Sequence, residues 1–371
     1  MKQYKYLYSK MLERSTIDRA YKKLRKGKTK RSEIRKIDNN YEFYAEKMKC
    51  MLIGFVYDET VFTPRKHEPK IIKERGKLRT IYVPDIWEQW VHHIIIQVLS
   101  PIIIKTSWPY SCGSMPKRGP HMAKRKIEKW IEDYKSTKYF LKFDIRHFYN
   151  NIDHDVLWKF MNERIKDSFF IKICKRCLMH FKKGLPLGYY ISQWFANFLL
   201  MPLDQLITKT YGMTKMIRYM DDVTVFSGNK KTLRNLFVDI KKTLGTLHLT
   251  VKSNWQICRM QYVDKQWKSR GRMLDFMGFV FARGFTILRK TIMLSISRKA
   301  KRISLKENWS MKDAQSLLSY KGWIKHDDVH NFYVDRVKPY VDFYNLRKFV
   351  SRSDRRNRRD ELEKRVLCIA A

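Results

Sequence analysis

Two adjacent aspartates stand inside a strand-like apolar stretch, and they constrain this chain more than any other feature. The stretch reads RYMDDVTVFSG and contains Asp221 and Asp222. Neighbouring carboxylates that are buried raise each other's pKa, and their burial adds a desolvation cost. A fold that keeps such a pair therefore needs a positive charge beside it.

The pair is more unusual because the chain is strongly basic. Its 371 residues include 78 Lys and Arg against 36 Asp and Glu, a net charge of +42. The content of 44% hydrophobic and 14% aromatic residues indicates a folded protein, divided into two or three subdomains. A folded protein this basic typically binds a polyanion, most commonly nucleic acid. A solvated cationic surface or binding to anionic lipid is the alternative.

The sequence predicts neither a membrane span nor secretion. The start, MKQYKYLYSK, lacks the apolar core of a signal peptide. The uncharged run 185–203 reaches membrane-spanning length, but its prolines, glycine and polar residues favour a loop that enters a buried helix. The six cysteines do not suggest a disulfide framework, so a cytoplasmic location is expected. Cys174, Cys177 and His180 have a spacing that a helix explains better than a zinc site.

A dense basic run lies near the start of the chain. Nine of the 15 residues over 22–36 are Lys or Arg. This density suits contact with a phosphate backbone, although a flexible basic arm has a similar composition. The predicted nucleic-acid contacts in the run are Lys22, Lys23, Arg25, Lys26, Lys28, Lys30 and Arg31.

The hydrophobic pattern predicts an α+β fold, a small sheet backed by helices. Alternation predicts a strand over 138–144 that ends at Asp144, and a hairpin whose tight turn holds Met220 and Asp221. Two further hairpins are predicted over 64–84 and 275–288. Helices are predicted from 85 until Pro101, over 156–179, 191–210 and 231–247, and in the basic segment after 288.

If the strand ending at Asp144 neighbours the Met220–Asp221 hairpin, three carboxylates converge on one edge of the sheet. Such a cluster suits Mg²⁺, which is usually held by one or two carboxylates together with substrate phosphates. Two such ions about 3.5–4 Å apart activate the attacking oxygen and stabilise the leaving oxygen of phosphoryl transfer. An Asp pair alone is most often a loop or a cap, but the strand-end Asp144 and the basic chain favour a metal site.

The motifs around these residues resemble those of reverse transcriptases and come in the same order. RYMDD resembles the YxDD motif, and LKFDIRHFYNNIDH resembles the first palm motif. GLPLGYYISQWFAN resembles the motif that packs under template and nucleotide, HLTVKSNWQ the later lysine motif, and LDFMGFVF the primer-grip hairpin. GKLRTIYVP and YSCGSMPKRGPHMA resemble finger motifs. The resemblance covers roughly residues 60–290.

The resemblance implies a right-hand polymerase. It implies a basic helical segment over 1–60, fingers and palm over 61–285, and a basic helical thumb with a C-terminal tail over 286–371. Asp144 and Asp221 would hold two Mg²⁺ ions, for which Mn²⁺ would substitute. Asp222 would assist them, and the carbonyl of Ile145 would be a further ligand.

The resemblance also implies contacts with substrates. Tyr149 matches the residue whose ring excludes a ribose 2′-OH, although Phe148 beside it is equally aromatic and Tyr149 could belong to the core. Lys252 matches the lysine that protonates departing pyrophosphate. Glycine at 188 would let the backbone approach the nucleotide closely. The other implied contacts are Arg79 and Lys77 with the triphosphate, Leu187 and Gln193 beside Gly188 at the nucleotide, and Phe276, Met277 and Gly278 with the primer.

One motif departs from most of the family. Leu187 stands where most members carry Gln, and Ser192-Gln193 replaces Ser-Pro. The pattern resembles reverse transcriptases of diversity-generating retroelements. That implies dNTP-dependent copying of a cognate template RNA into cDNA, with errors at adenines, and a basic accessory protein.

Other classes stay open as alternatives. Phage-defence reverse transcriptases have similar palms and make cDNA from a structured noncoding RNA. Group II intron and retron enzymes match less well, because no maturase or endonuclease module is recognised after the thumb and because of Leu187 and Gln193. A non-catalytic RNA-binding scaffold is a remote alternative, and the intact aspartates argue against it.

Overall fold

A computed structural model describes residues 3–74, 76–325 and 329–352. The helices are α1 (Leu7–Leu12), α2 (Arg14–Arg25), α3 (Ser32–Asn39), α4 (Tyr41–Tyr57), α5 (Ile86–Thr106), α6 (Pro120–Ile131), α7 (Phe148–Asn151), α8 (His154–Arg164), α9 (Ser168–Arg176), α10 (Tyr190–Leu199), α11 (Met201–Gln205), α12 (Lys230–Thr246), α13 (Lys290–Ser304), α14 (Met311–Leu318), α15 (Lys321–Lys325) and α16 (His330–Arg336). Residues 343–352 are also helical. Glu59–Val61 forms a 3₁₀ turn and Leu206–Thr210 a π-helical turn.

The strands are short and mostly antiparallel. They are β1 (Lys70–Glu74), β2 (Lys77–Ile81), β3 (Ser111–Cys112), β4 (Tyr139–Asp144), β5 (Met216–Tyr219), β6 (Asp222–Ser227), β7 (Gln256–Arg259), β8 (Tyr262–Val263), β9 (Ser269–Arg270), β10 (Leu274–Phe276), β11 (Phe279–Ala282) and β12 (Phe285–Leu288). The chain divides into two compact units, residues 1–119 with 140–257 and residues 120–139 with 258–371.

The first unit is built around a five-stranded sheet in the order β3-β5-β6-β4-β7. Strands β5 and β6 form the predicted antiparallel hairpin, and β3 pairs with β5 in parallel over two residues. Strand β4 lies beside β6, which meets the condition for Asp144 to approach the Met220–Asp221 turn. Helix α12 covers the sheet, and Phe237 of that helix lies 6.2 Å from Phe143 of β4, measured between ring centroids. The mixed α+β class, a small sheet backed by helices, is confirmed.

Helices α1 and α2 of the first unit pack on α5. Helix α5 is buried along most of its length, and the indole of Trp90 donates a hydrogen bond to the carbonyl of Ile17 on α2 (3.2 Å). The prediction that α5 ends at Pro101 was wrong, because the helix continues to Thr106. Pro101 removes one N–H and crowds the preceding turn. The burial of Ile102 and Ile103 and the bond from Ser107 N–H to the Ile103 carbonyl (2.9 Å) hold the last turn in place.

Of three other predicted elements, two helices are divided in the structure and one hairpin is confirmed. The predicted helix over 156–179 is two helices, α8 and α9, and Asp167 caps α9 by accepting from the Phe170 N–H. The predicted helix over 191–210 is divided into α10, α11 and the π-helical turn. The basic hairpin over 64–84 is β1 and β2.

Within the three described ranges, we find no helix that is both long and apolar enough to cross a membrane.

The second unit contains two small antiparallel sheets and helices. Strands β10, β11 and β12 form a meander, and Arg283-Gly284 makes the predicted turn between the last two. Strands β8 and β9 form a separate hairpin. Helix α6 packs on β11, and α13 packs on α14. The predicted subdomain boundaries stay predictions, and the part of the predicted tail beyond 352 lies outside the described residues.

Candidate active site

The turn between β5 and β6 places the aspartate pair. Tyr219 and Asp222 are the last paired residues, so Met220 and Asp221 form the two-residue turn. Met220 has a φ of 57°, in the left-handed region that non-glycine residues seldom adopt. Its N–H donates to the carbonyl of Cys112 (3.2 Å). A side chain on Gly113 would come within 2.8 Å of the Met220 side chain, so glycine is required there.

A buried polar network supports this turn from behind. Arg218 is fully buried, and its Nε and Nη2 donate to the two carboxylate oxygens of Asp204, each at 2.7 Å. Its Nη1 donates to Oδ1 of Asn197 (3.0 Å) and to the carbonyl of Met220 (3.2 Å). Asp204 also accepts from the hydroxyl of Ser111 (2.7 Å). A buried charge persists only when it is paired and hydrogen-bonded. The network therefore fixes the turn to α10, α11 and β3.

The structure brings Asp144 and Asp221 together. Asp144 is the last residue of β4, and the next N–H, that of Ile145, donates to the Asp221 carbonyl (3.2 Å). Partial burial, and then the negative charge of Asp144, raise the pKa of Asp221 to about 6. Two carboxylates in this state repel each other, and a cation bound between them would relieve that repulsion.

Lys252 supplies part of the positive charge that the sequence demands. The side-chain ammonium of Lys252 lies 2.7 Å from Oδ1 of Asp144. The backbone N–H of Lys252 donates to the Asp144 carbonyl (2.8 Å). The lysine side chain is 38% exposed, so this ion pair is accessible to solvent. Ile145 and Val251 form a β-bridge that aligns the two segments. The lysine motif therefore lies directly beside the first palm motif.

The structure brings together two of the three predicted carboxylates, Asp144 and Asp221, and the role of Asp222 stays a prediction. Asp222 begins β6 opposite Tyr219, and the charged groups that act on the pKa of Asp221 are Asp144 and Lys252. Among the residues that the structure describes, no group of three or more His, Cys, Asp or Glu side chains is placed to hold a metal. The donor set that fits a hard cation is therefore the Asp144–Asp221 pair, which leaves other positions for substrate oxygens.

Tyr149 lies close to this pair. It belongs to α7, it is partly exposed while Phe148 is buried, and burial and the charge of Asp221 raise its pKa. The carbonyl of Tyr149 accepts from the N–H of Leu185 (2.7 Å). A side chain on Gly184 would lie 3.0 Å from the same carbonyl. The motif that begins at 184 is thus fixed to the first palm motif through the backbone of Tyr149.

Glycine is required at position 188 by the packing of two backbone segments, and its predicted contact with a nucleotide stays a prediction. It has a φ of +103°, and a Cβ there would lie 2.1 Å from the carbonyl of Tyr82. The Tyr82 N–H donates to the carbonyl of Leu187 (2.8 Å). The close approach is therefore between this motif and the chain that follows β2. Leu187 is half-buried, and Gln193 is exposed on α10.

The other predicted contacts belong to other elements of the two units. Arg79 and Lys77 are exposed on β2, and the positive charge of Arg79 acts on the pKa of Tyr149. Phe276, Met277 and Gly278 form the end of β10 and its turn, in the second unit. Two cations of the run near the start have internal partners. Arg25 pairs with Asp38 (2.8 Å), and Lys28 is half-buried and donates to Gln89 (2.7 Å).

Sequence reasoning missed Arg218, Asp204, Asn197 and Ser111. The presence of Arg218 in an apolar strand could have indicated this buried network. An arginine inside an apolar strand requires a buried acceptor, and Asp204 is the first charged residue after the uncharged run 185–203.

Comparison with known proteins identifies the family of this chain. The family described as reverse transcriptase (RNA-dependent DNA polymerase) matches residues 65–279. Protein YkfC of Escherichia coli is 24% identical over 178 residues, 44% of this chain and 47% of that protein. The retron Ec73 reverse transcriptase of Escherichia coli is 23% identical over 299 residues, 75% of this chain and 87% of that protein.

A solved structure, apo telomerase from Candida tropicalis, aligns with a TM-score of 0.47 and 15% identity over 68% of this chain and 52% of that one. The chain thus spans about half the length of protein YkfC and of the telomerase. The family match covers more than half of the chain and includes Asp144, Asp221 and Lys252. This chain therefore belongs to the reverse transcriptase (RNA-dependent DNA polymerase) family.

Proposed function

We propose that this chain is an RNA-directed DNA polymerase that copies a bound RNA into cDNA. The observation that carries the proposal is the Asp144–Asp221 pair, with Lys252 beside it and a buried network beneath the turn. The same residues match the order of the family's motifs. Asp144 and Asp221 would hold the catalytic Mg²⁺ ions, with the Ile145 carbonyl and Asp222 as further oxygen donors.

The bound Mg²⁺ ions would supply activation of the attacking oxygen and stabilisation of the leaving oxygen. The protein's own part is to hold the substrates in line. Arg79 and Lys77 would bind the triphosphate as exposed cations, because phosphate oxygens accept several charge-assisted hydrogen bonds. Lys252 would donate a proton to the leaving pyrophosphate, since its ammonium already lies at the reacting edge of the sheet.

Tyr149 would select deoxynucleotides. Tyr149 is half-buried and lies within electrostatic reach of Asp221 and Arg79, whereas Phe148 is buried in the core. A ring in that position would clash with a 2′-OH. The different burial of the two aromatic residues supports Tyr149 as the one that meets the sugar.

We further propose that the enzyme serves a diversity-generating retroelement. The support is the sequence from Leu187 to Gln193, in which an aliphatic residue replaces the usual amide. In that role the chain would copy a cognate template RNA with errors concentrated at adenines and would bind a basic accessory protein. A second candidate is synthesis of cDNA from a structured noncoding RNA, which the match to the retron enzyme over 87% of its length favours.

Primer extension tests the polymerase proposal. The purified full chain, a short RNA template with a DNA primer, dNTPs and Mg²⁺ should yield extended DNA, and chelation with EDTA should stop it. Asp144→Asn is the matched control, because it keeps the shape of the side chain and removes its charge. Absence of extension by the wild type on every template, including RNA that copurifies with it, would contradict the proposal. Sequencing that RNA and its cDNA separates the two candidates.

A further inference from the structure

The β8–β9 hairpin of the second unit carries an exposed tryptophan among cations. Trp267 is 90% exposed at the tip of the hairpin. The segment 259–272 contains five Lys or Arg and one Asp, a net charge of +4. Neither the catalytic pair nor the substrate contacts proposed above use this hairpin. An exposed indole beside cations is a feature of surfaces that bind unpaired nucleotides.

The tip is rigid, which distinguishes it from a flexible basic loop. Trp267 has a φ of 58°, and its N–H donates to the carbonyl of Asp264 (3.1 Å). The Asp264 carboxylate accepts from the N–H of Gln266 (3.0 Å), the N–H of Lys268 (2.9 Å) and Nε of Arg270 (2.9 Å). These bonds hold a backbone conformation that costs energy for a non-glycine residue. The indole is therefore presented outward in advance of binding.

The base of the hairpin is equally well fixed. The Arg272 N–H donates to the carbonyl of Arg259 (2.9 Å), and the Gln261 N–H donates to the carbonyl of Arg272 (3.0 Å). Gly271 has a φ of +79°, and a Cβ there would lie 2.7 Å from the Met260 carbonyl. The backbone that carries Arg259 and Arg272 is thus held in a defined conformation at the base of the hairpin.

A basic and aromatic cavity adjoins the hairpin. It has a volume of about 270 Å³, and Tyr134, Lys135, Lys138, Arg259 and Tyr262 are among the residues that line it. The guanidinium of Arg259 lies 3.8 Å from the centroid of the Tyr262 ring. Tyr134 is 58% exposed. Rings and cations in alternation match the two parts of a nucleotide, because rings stack on bases and cations pair with phosphates.

We propose that this surface, the β8–β9 hairpin and the adjoining cavity, binds an unpaired segment of RNA, with a base stacked on Trp267. The inference rests on the proposed function, since it concerns RNA that the polymerase holds. A net charge of +4 over the hairpin segment favours a polyanion over an apolar protein partner. A base must be free of its duplex to cover the indole, so single-stranded RNA should bind better than duplex.

The experiment uses the full chain and an unpaired RNA of about 12 nucleotides that contains 2-aminopurine, whose fluorescence falls on stacking. Wild type should quench the fluorophore. Trp267→Ala should lose that quenching and weaken binding about tenfold, which corresponds to about 1.4 kcal/mol. Trp267→Phe should keep part of both, because a ring remains. The matched control is Trp255→Ala, since Trp255 is 42% exposed but its ring lies 4.2 Å from that of Phe237.

Charge is tested separately. The double variant Lys265→Gln and Lys268→Gln should reduce the slope of log affinity against log salt by about 1.4, at about 0.7 per phosphate contact. The proposal would be overturned if Trp267→Ala bound RNA and quenched the fluorophore as wild type does. It would also be overturned if Trp267→Ala lost the same affinity for a duplex RNA as for the single-stranded RNA. A protein partner for this surface would give the first of these results.

The polymerase proposal fails separately from this one. If wild type does not extend a primer but RNA binding depends on Trp267, only the polymerase proposal is lost. If wild type extends a primer but Trp267→Ala binds RNA normally, only the proposal for this surface is lost. Trp267→Ala and Trp267→Phe should unfold at the same temperature as wild type, because the side chain of Trp267 is exposed. The binding comparison uses only variants that meet this condition.

Discussion

The turn at Met220 and the hairpin tip at Trp267 both place a non-glycine residue at a positive φ, one in the interior and one at the surface. Their φ angles are 57° and 58°. Met220 is buried, its N–H donates to the Cys112 carbonyl, and its own carbonyl accepts from Arg218, which pairs with Asp204. Trp267 is 90% exposed, and Asp264 within the same hairpin holds it. Buried strain thus depends on partners distant in sequence, whereas exposed strain depends on neighbours.

This difference has a functional meaning. The turn must place a carboxylate to within a fraction of an ångström, and a rigid interior achieves that. The hairpin tip only has to present a ring to a partner, which a locally organised loop achieves. Mutations around the turn should therefore affect folding and chemistry together, and mutations at the tip should affect binding alone.

The largest effect is expected at the carboxylate pair. Asp144→Asn or Asp221→Asn should reduce nucleotide incorporation by roughly 10⁴-fold, as expected for a residue that the chemistry requires. RNA affinity should stay within about twofold of wild type, because neither carboxylate binds a phosphate directly. Single-turnover extension and an RNA titration on the same preparation measure the two quantities. Near-normal incorporation by both variants at saturating Mg²⁺ would break the assignment.

The second effect tests the buried side of the comparison. Asp204→Asn leaves the Arg218 charge buried without its carboxylate, and breaking such a pair costs about 3–5 kcal/mol of unfolding free energy. Denaturant unfolding measures this cost. Asp264→Asn, at the exposed tip, should change it far less. Equal effects of the two substitutions would remove the distinction between the sites.

Ser111→Ala is the milder variant, since it removes one hydrogen bond to Asp204 and keeps the ion pair. It should cost about 0.5–1.5 kcal/mol. If the network positions the turn, kcat should fall in this variant while KM for dNTP stays constant. A stability loss with an unchanged kcat would make the network a purely structural feature.

The third prediction concerns pH. The pKa of Asp221 is raised to about 6 from its ordinary 3.8, so the folded chain binds a proton more tightly than the unfolded chain. Wild type therefore loses stability as the pH rises from about 4 to about 6. Relative to wild type in EDTA, Asp221→Asn should therefore be more stable by about 1–3 kcal/mol at pH 8. The gain should vanish near pH 4, where wild-type Asp221 is protonated. Urea unfolding at both pH values measures it, and a gain that is constant with pH would show that ionisation of Asp221 is not its cause.

The fourth prediction separates Tyr149 from Phe148. Tyr149→Val should raise ribonucleotide incorporation relative to deoxynucleotide by about tenfold or more, the scale of discrimination by a bulky contact. Phe148→Val should instead lower stability, because that ring is buried. The ratio of kcat/KM values for rNTP and dNTP gives the result. Relaxed sugar selection in the Phe148 variant alone would show that the motif is assigned one residue out of register.

The smallest effect is expected at Leu187. Leu187→Gln restores an amide that can hydrogen-bond, and such a bond is worth about 0.5–1.5 kcal/mol, up to about tenfold in fidelity. Sequencing of cDNA made on an RNA with all four bases should show that wild type errs most at adenines and that the variant errs less. A low, even error spectrum in wild type would favour the structured-RNA candidate.

The sequence predicted those features that depend on the alternation of apolar and polar residues along a strand. Alternation in 138–144 and 216–226 was enough to place Asp144 at a strand end and Met220-Asp221 in a turn. It could not predict the partners of Arg218, because Asn197 and Asp204 lie 21 and 14 residues away with no periodic relation to it. The same limit applies to α5, where the burial of residues after Pro101 outweighs a local helix breaker.

The position of Gly188 illustrates the remaining gap. Sequence reasoning related this glycine to the nucleotide, whereas the close contact in the structure is with the Tyr82 carbonyl. A motif indicates that a residue without a side chain is needed and does not say which atom it avoids. The contact appears only when two segments distant in sequence are packed together.

The most direct test of the central claim is a measurement of metal binding at the Asp144–Asp221 pair. Free Mn²⁺ is detected by electron paramagnetic resonance, so a titration of the full chain with RNA template, primer and dNTP counts bound ions independently of turnover. Wild type should bind Mn²⁺ at this site, and both Asp144→Asn and Asp221→Asn should lose it, while Asp264→Asn, a carboxylate in the second unit, should bind as wild type does. Wild-type stoichiometry and affinity in both palm variants would contradict the account.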